Sequence, residues 1–269
     1  MELESALVKI NDEISYLNAS EDPISANVVF IKPTNSELTW IFDVGLTAFA
    51  AAQINAVKGR KNIVLSHFHP DHIFNLSRVN YEKVFVSRNT FKYTKTGILV
   101  ERTTEFDKNG NVKNPSVSDD CAVCDARNVA DADNVVDARN AYNNRNSCSN
   151  PAESKNPQKN ENIKIIPLPS SHAKGSLILE YGDYAFCGDG TYCMSKNGKH
   201  FYNATLLFDE IRMLEKLSCT YLCLSHDKNF VQNRKDVINL HKEIYSRRKT
   251  GEPFISVDDF FDKNGNVIK

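Results

Sequence analysis

The sequence predicts an α+β fold: a single domain over residues 1–269, β-rich in both halves, with helices on both outer faces. Three observations predict it. Short runs of β-branched and aromatic residues are bounded by turn signals, stretches with helical spacing separate them, and the composition changes abruptly between about residues 107 and 162.

In chain order, strands are expected at Val8–Ile10, Ala26–Lys32 and Leu38–Phe42, with a Pro33-Thr34-Asn35-Ser36 turn before the last of them. The alanine-rich stretch Thr47–Lys58 has helical spacing. A short apolar strand, Asn62–Ser66, then runs into a histidine cluster, and another is expected at Val84–Ser87. Residues 107–162 are rich in Asn, Asp, Ala and Ser and carry almost no large apolar side chains, so they read as a low-complexity insert. Within it, six-residue units beginning at Asp125, Asp131 and Asp137 repeat approximately. Strand patterning resumes at Ile163–Leu168, Ser176–Tyr181 and Tyr184–Cys187, the last two joined by a Gly182-Asp183 turn. A helix over about Thr205–Leu217, a strand over Thr220–Ser225 and a helix over about Arg234–Arg248 complete the pattern.

Bulk properties narrow the function classes. Hydrophobic residues make up 41% of the chain, enough for a substantial core. The net charge of −1 supplies no general attraction to polyanions, so a small-molecule substrate is expected and nucleic acid is not. The absence of a basic, apolar leader and of a long apolar run predicts a soluble cytoplasmic protein with no membrane partner. Seven cysteines, an odd number, then read as free thiols.

The chemistry concentrates in His67-Phe68-His69-Pro70-Asp71-His72. In an extended segment residues two apart project to one side, so His67 and His69 can face one ion while the following turn redirects Asp71 and His72. A polar solvated turn is the plain alternative. The segment resembles the HxHxDH signature of the metallo-β-lactamase superfamily, and the resemblance extends over nearly the whole chain outside the insert. It implies a four-layer αββα sandwich and further ligands at the ends of later strands, for which His172, Asp189 and His226 are the candidates. By similarity His67, His69 and His172 hold a first metal, Asp71, His72 and His226 hold a second, and Asp189 bridges the two. Nitrogen and carboxylate donors suit zinc, and iron or manganese would also accept them.

The resemblance also implies an activity. A carboxylate at position 189, where superfamily β-lactamases carry cysteine, is similar to the glyoxalase II, lactonase, phosphodiesterase and nuclease branches. The expected reaction is attack by metal-bound hydroxide on a thioester, ester or lactone, with Asp71 orienting the hydroxide. A phosphodiesterase or nuclease on the same dinuclear site, and a non-catalytic metal-binding protein, are the alternatives. A redox flavo-diiron reading is weaker, because no flavodoxin-like domain follows residue 269. Tyr192 lies three residues after Asp189, as a substrate-polarising tyrosine does in acyl-homoserine lactonases; its plain alternative is packing. Asp43 matches an Asp-x-Gly strand end whose carboxylate supports the ligand loop. Asn27 matches a small polar residue that opens a strand.

The remaining candidates carry less. His200 and His241 read as surface histidines. Cys121, Cys124 and Cys148 are one ligand short of a structural zinc site. Cys219 and Cys223 are expected to be buried on one strand face, and Cys193, beside the proposed site, is the candidate reactive thiol. Phe106–Val112 and Phe261–Val267 repeat one Asn-Gly turn sequence.

Overall fold

The computed structural model describes residues 7–113 and 162–259. The six-residue repeats, Cys121, Cys124, Cys148, most of the expected insert and the second Asn-Gly copy lie outside them.

A seven-stranded sheet is built from β1 (Val8–Lys9), β2 (Ile14–Leu17), β5 (Val28–Ile31), β6 (Leu38–Phe42), β7 (Arg60–Val64), β8 (Lys83–Val86) and β9 (Ile98–Leu99), in that spatial order. Its β1 to β6 side is antiparallel and its β6 to β9 side parallel. A small hairpin, β3 (Ser20–Glu21) and β4 (Ile24–Ser25), projects between β2 and β5. The second sheet has β10 (Thr104–Phe106), β11 (Ile163–Leu168), β12 (Ser176–Tyr181), β13 (Tyr184–Gly188), β16 (Tyr221–Leu224) and β17 (Val231–Asn233). Between β13 and β16 the chain forms the hairpin β14 (Met194–Lys196) and β15 (Lys199–Asn203), joined later by β18 (Phe254–Ser256) in a three-stranded sheet.

Period-two alternation sorts side chains into layers. From β5, Val29 and Ile31 enter the core between the sheets while Val28 and Phe30 enter a core on the outer face. Trp40 of β6 is fully buried between the sheets, 5.6 Å from the Phe85 ring and 5.3 Å from Phe106. Helix α1 (Ala48–Ala56), capped by the Thr47 side chain, covers the outer face of the first sheet, with α3 (Arg88–Thr94) beside it. Helices α4 (Ala204–Lys216) and α5 (Arg234–Ser246) cover the second sheet. The expected four-layer αββα sandwich is what forms.

Two expectations are corrected. His241 is not at the surface: it is buried in α5 with Nδ1 3.1 Å from a carboxylate oxygen of Glu210, itself fully buried in α4. Burial pushes the Glu210 carboxyl up, and the neighbouring His241 only partly offsets this. Cys219 and Cys223 are both buried but not on one face. Cys223 lies in the inter-sheet core and Cys219 in the core beneath α4 and α5, because Cys219 precedes β16, where the backbone turns against the Asp183 carbonyl. The tight turn expected after Phe106 forms: the Asp107 carboxylate accepts from the Asn109 and Asn111 amides, and Phe106 bridges to Val112.

Candidate metal centre

Seven candidate ligands and their supports stand at the C-terminal ends of β6, β7, β11, β13 and β16, along the edge where the two sheets meet. His67 and His69 follow β7. His69 precedes the short helix α2 (Pro70–Ile73), its carbonyl accepting from the His72 and Ile73 amides; Pro70 has no amide hydrogen to satisfy, and the first turn carries Asp71 and His72. His172 follows β11, Asp189 follows β13 and His226 follows β16. Gly188 permits the approach of the second sheet: its φ is +55°, and a Cβ there would lie 2.6 Å from Ser66 Oγ.

The ring nitrogens converge. His69 Nδ1 is 2.9 Å from His67 Nε2 and 3.1 Å from His172 Nε2, and His172 Nε2 is 3.5 Å from Asp189 Oδ2. In the second group His72 Nε2 is 3.4 Å from Asp71 Oδ2 and 3.3 Å from Asp189 Oδ2; His226 Nε2 is 3.0 Å from Asp71 Oδ2 and 3.8 Å from Asp189 Oδ1. Within each group, one donor atom from each member lies within 4.8 Å of every other, and Asp189 belongs to both groups. Donors 2.0–2.1 Å from a tetrahedral ion sit about 3.3 Å apart, so both groups have the size of a metal cage. Two buried atoms support the fit: His72 Nε2 and Asp189 Oδ1 have no hydrogen-bond partner.

For His67, His72 and His172 the opposite ring nitrogen is held by the surroundings, which fixes which nitrogen faces inward. His72 Nδ1 is 2.7 Å from Asp43 Oδ2, and His67 Nδ1 is 2.9 Å from Ser66 Oγ. His172 Nδ1 donates to the Cys193 carbonyl at 3.3 Å. Asp43, 1% exposed, also accepts from the Ser66 amide at 2.7 Å and from Ser66 Oγ at 2.8 Å. Asp43 thereby ties His72 to the backbone and side chain of Ser66, just before His67. Asn27, just before β5, accepts from the His226 amide at 3.1 Å and from Ser225 Oγ at 3.2 Å, tying the His226 loop to the first sheet. His226 itself has a φ of +63°, so that pin holds an unfavourable backbone.

Tyr192 is partly buried beside His172, ring centroids 6.4 Å apart, and packs on the core beneath α4 and α5. Its hydroxyl donates to the Ser225 carbonyl, so its proton is committed to the loop that carries His226. His200 is exposed against Asp258, 3.1 Å away, and plays no part in the site. Cys193 meets His172 through its backbone carbonyl, and burial pushes its thiol up, which opposes the expected reactivity. Sequence reasoning missed Ser66 and Ser225. The one signal for them was position, since each immediately precedes a candidate ligand.

Electrostatics separate the two groups. Burial lowers His67 and His69, as do the neighbouring histidines, so both rings are neutral near pH 7. Burial would lower His72 too, but Asp43 and Asp189 outweigh it and hold its pKa at about 10. Burial opposes ionisation of Asp71 and Asp189, yet the histidines around them, His226 and His72 foremost, keep both low and ionised. A metal entering the second group must therefore displace a proton from His72, whereas one entering the first need not. Calorimetric zinc titration in buffers of different ionisation enthalpy should show about one proton released at the second group at pH 7.5. Its apparent affinity should rise about tenfold per pH unit towards pH 10. Two ions taken up with no proton release would contradict this.

The centre opens onto a cleft of 680 Å³ whose lining includes Tyr16, Ser20, Glu21, Lys228 and Phe230 together with His69, Asp71, Asp189 and His226. Tyr16 and Phe230, with ring centroids 4.3 Å apart, form its apolar wall.

With this geometry in place, the chain can be set beside known proteins. No family model and no curated protein matches the sequence. Solved structures do match. ETHE1 from Myxococcus xanthus has 14% identity and a TM-score of 0.52, covering 89% of this chain and 92% of that one. A B3 metallo-β-lactamase with an active-site glutamic acid has 11% identity and a TM-score of 0.50, with 90% of each chain covered. A flavodiiron core from Synechocystis sp. has 10% identity and a TM-score of 0.55, covering 91% of this chain but 61% of that one. At these identities the likeness shows the fold alone: the chain has the metallo-β-lactamase fold. Among the described residues no helix is long and apolar enough to cross a membrane.

Proposed function

We propose that the chain is a metal-dependent hydrolase of the metallo-β-lactamase superfamily acting on a small-molecule thioester, ester or lactone. The observation that carries the reading is the pair of ligand groups sharing Asp189 at the floor of an open cleft. His67, His69 and His172 would hold one divalent ion and Asp71, His72 and His226 the other, with Asp189 common to both; zinc suits this donor set. Bound divalent ions supply an acidified water and polarise the oxygen under attack, so no serine or cysteine nucleophile is needed.

The chain's own groups do the rest. Asp71, ionised and facing the cleft, accepts a hydrogen bond from the attacking water and orients it. Asp43 and Ser66 hold His72 and His67 in register. Tyr192 is a positioning residue, its hydroxyl fixing the Ser225–His226 turn. The cleft offers one lysine, Lys228, against Glu21 and Asp227, a charge pattern that favours a small substrate over a polyanionic strand.

The test is a panel of thioesters, esters, lactones, phosphodiesters and RNA with zinc-loaded protein. Turnover of at least one carbonyl substrate, lost on chelation and restored by zinc, is expected. Cleavage of RNA or phosphodiesters alone would overturn the reading.

A further inference from the structure

His69 lines a second cavity as well as the cleft. This groove of 640 Å³ is bounded by Phe68, Pro70, Ile73, Phe74, Tyr81 and Tyr93, and its lining holds no Asp, Glu, Lys or Arg. The cleft, by contrast, presents Glu21, Asp71, Asp189, Asp227 and Lys228. The groove's aromatic rim is built rather than scattered. Phe68 and Tyr93 stack with ring centroids 4.7 Å apart and planes 7° from parallel, and the Arg78 guanidinium lies 4.4 Å over the Phe74 ring. Nevertheless Tyr93 is 61% exposed and Phe74 45%, a cost to solvation that isolated surface residues do not concentrate in one place.

We propose that this groove binds the apolar acyl chain of the substrate, so that the substrate class is a medium-chain to long-chain acyl thioester, ester or lactone. The assignment rests on the hydrolase reading for the identity of the reacting end. Adjacency decides the occupant: His69 lines both the cleft and the groove, so a chain leaving a carbonyl held at the centre on the His69 side meets a largely aromatic and aliphatic lining with no Asp, Glu, Lys or Arg. The volume lies in the range of small-molecule sites. A stable contact with a second copy would need about 800 Å² from each partner, more than a groove of this size presents. Phe68, between His67 and His69, and Pro70, before Asp71, would thus serve two purposes: the backbone that sets the candidate ligands also forms the start of the acyl wall.

The test separates chain binding from catalysis. Neutral, non-hydrolysable 1-butanol, 1-hexanol and 1-octanol are titrated calorimetrically into metal-free protein, into Tyr93→Ser and into Tyr93→Ser/Phe74→Ser. Each methylene that leaves water should tighten binding about three- to fourfold, so octanol should bind about 100-fold tighter than butanol to the unaltered chain. The double variant should flatten that series while its thermal unfolding falls by no more than a few degrees, since Phe74 and Tyr93 are 45% and 61% exposed and lie outside the buried core. With acyl thioesters, kcat/KM should climb with chain length in the unaltered protein and level off in the variants, short-chain turnover being preserved. Equal binding of butanol and octanol would overturn the assignment, as would an unchanged slope in the double variant. So would a concentration-dependent dimer that the same substitutions dissociate, because the groove would then belong to a second copy. Chain-length-dependent alcohol binding in a protein that hydrolyses nothing would fault the hydrolase reading and support the groove as an apolar-chain site.

Discussion

Asp189→Asn is expected to lower bound metal from two ions per chain to at most one and to cut kcat about 10³-fold or more, with the fold retained. The carboxylate is the one group common to both ligand sets, and its Oδ1 is buried without a hydrogen-bond partner. An amide of nearly the same shape fills the same space but carries no charge and offers one weak acceptor oxygen. Losing a shared ligand withdraws several kcal/mol of stabilisation from developing charge, and each 1.4 kcal/mol is about tenfold in rate. The substitution also removes one of the two carboxylates that keep His72 protonated without metal. Metal analysis and steady-state kinetics on one preparation read both effects. Two tightly held ions in the variant would remove Asp189 from its bridging role.

Asp43→Asn should have the second-largest effect, although Asp43 is not a candidate ligand. Its carboxylate accepts on both oxygens: Oδ1 from the Ser66 amide, Oδ2 from Ser66 Oγ and His72 Nδ1. An asparagine can accept on one side only and must turn N–H groups towards a donor on the other. Asparagine is the right probe because Asp43 has a φ of +60°, a conformation asparagine tolerates and alanine does not. Loss of an orienting partner typically costs 10- to 100-fold in metal affinity, about that loss being expected at the His72 group alone. A buried donor left unpaired costs about 2 kcal/mol of stability besides. Zinc competition and urea unfolding measure the two separately. Unchanged affinity at both groups would mean that Asp43 braces the backbone and does not tune His72.

What could be read from the sequence was what is local or carried by resemblance. The cluster from His67 to His72 is contiguous, so its donors could be recognised without knowing the fold. His172, Asp189 and His226 lie over a hundred residues further on and became candidates only because the resemblance expects ligands at later strand ends. Ser66 and Ser225 are common small polar residues whose value comes from partners distant in sequence, Asp43 on the neighbouring strand end for Ser66 and Asn27 on the other sheet for Ser225, which no local pattern encodes. The hairpin β14–β15 was missed although its Asn197-Gly198 turn, with φ of +54° and +71°, carries the same signal used for the turn after Phe106. Its strands alternate weakly because they lie at the periphery of the sandwich. The buried Glu210–His241 pair was legible in principle. Glu210 sits on the stripe Leu207, Ile211, Leu214, and His241 on Val237, Ile238, Ile244, so each polar side chain shares its helix's buried face.

The central claim, that the two ligand groups form one dinuclear centre, is tested most directly by anomalous scattering from crystals of zinc-loaded protein. Two peaks about 3.5–4 Å apart are expected, with Asp189 between them and His67, His69 and His172 on one side. A single ion, or none within reach of His67 and His226 under saturating zinc, would contradict it.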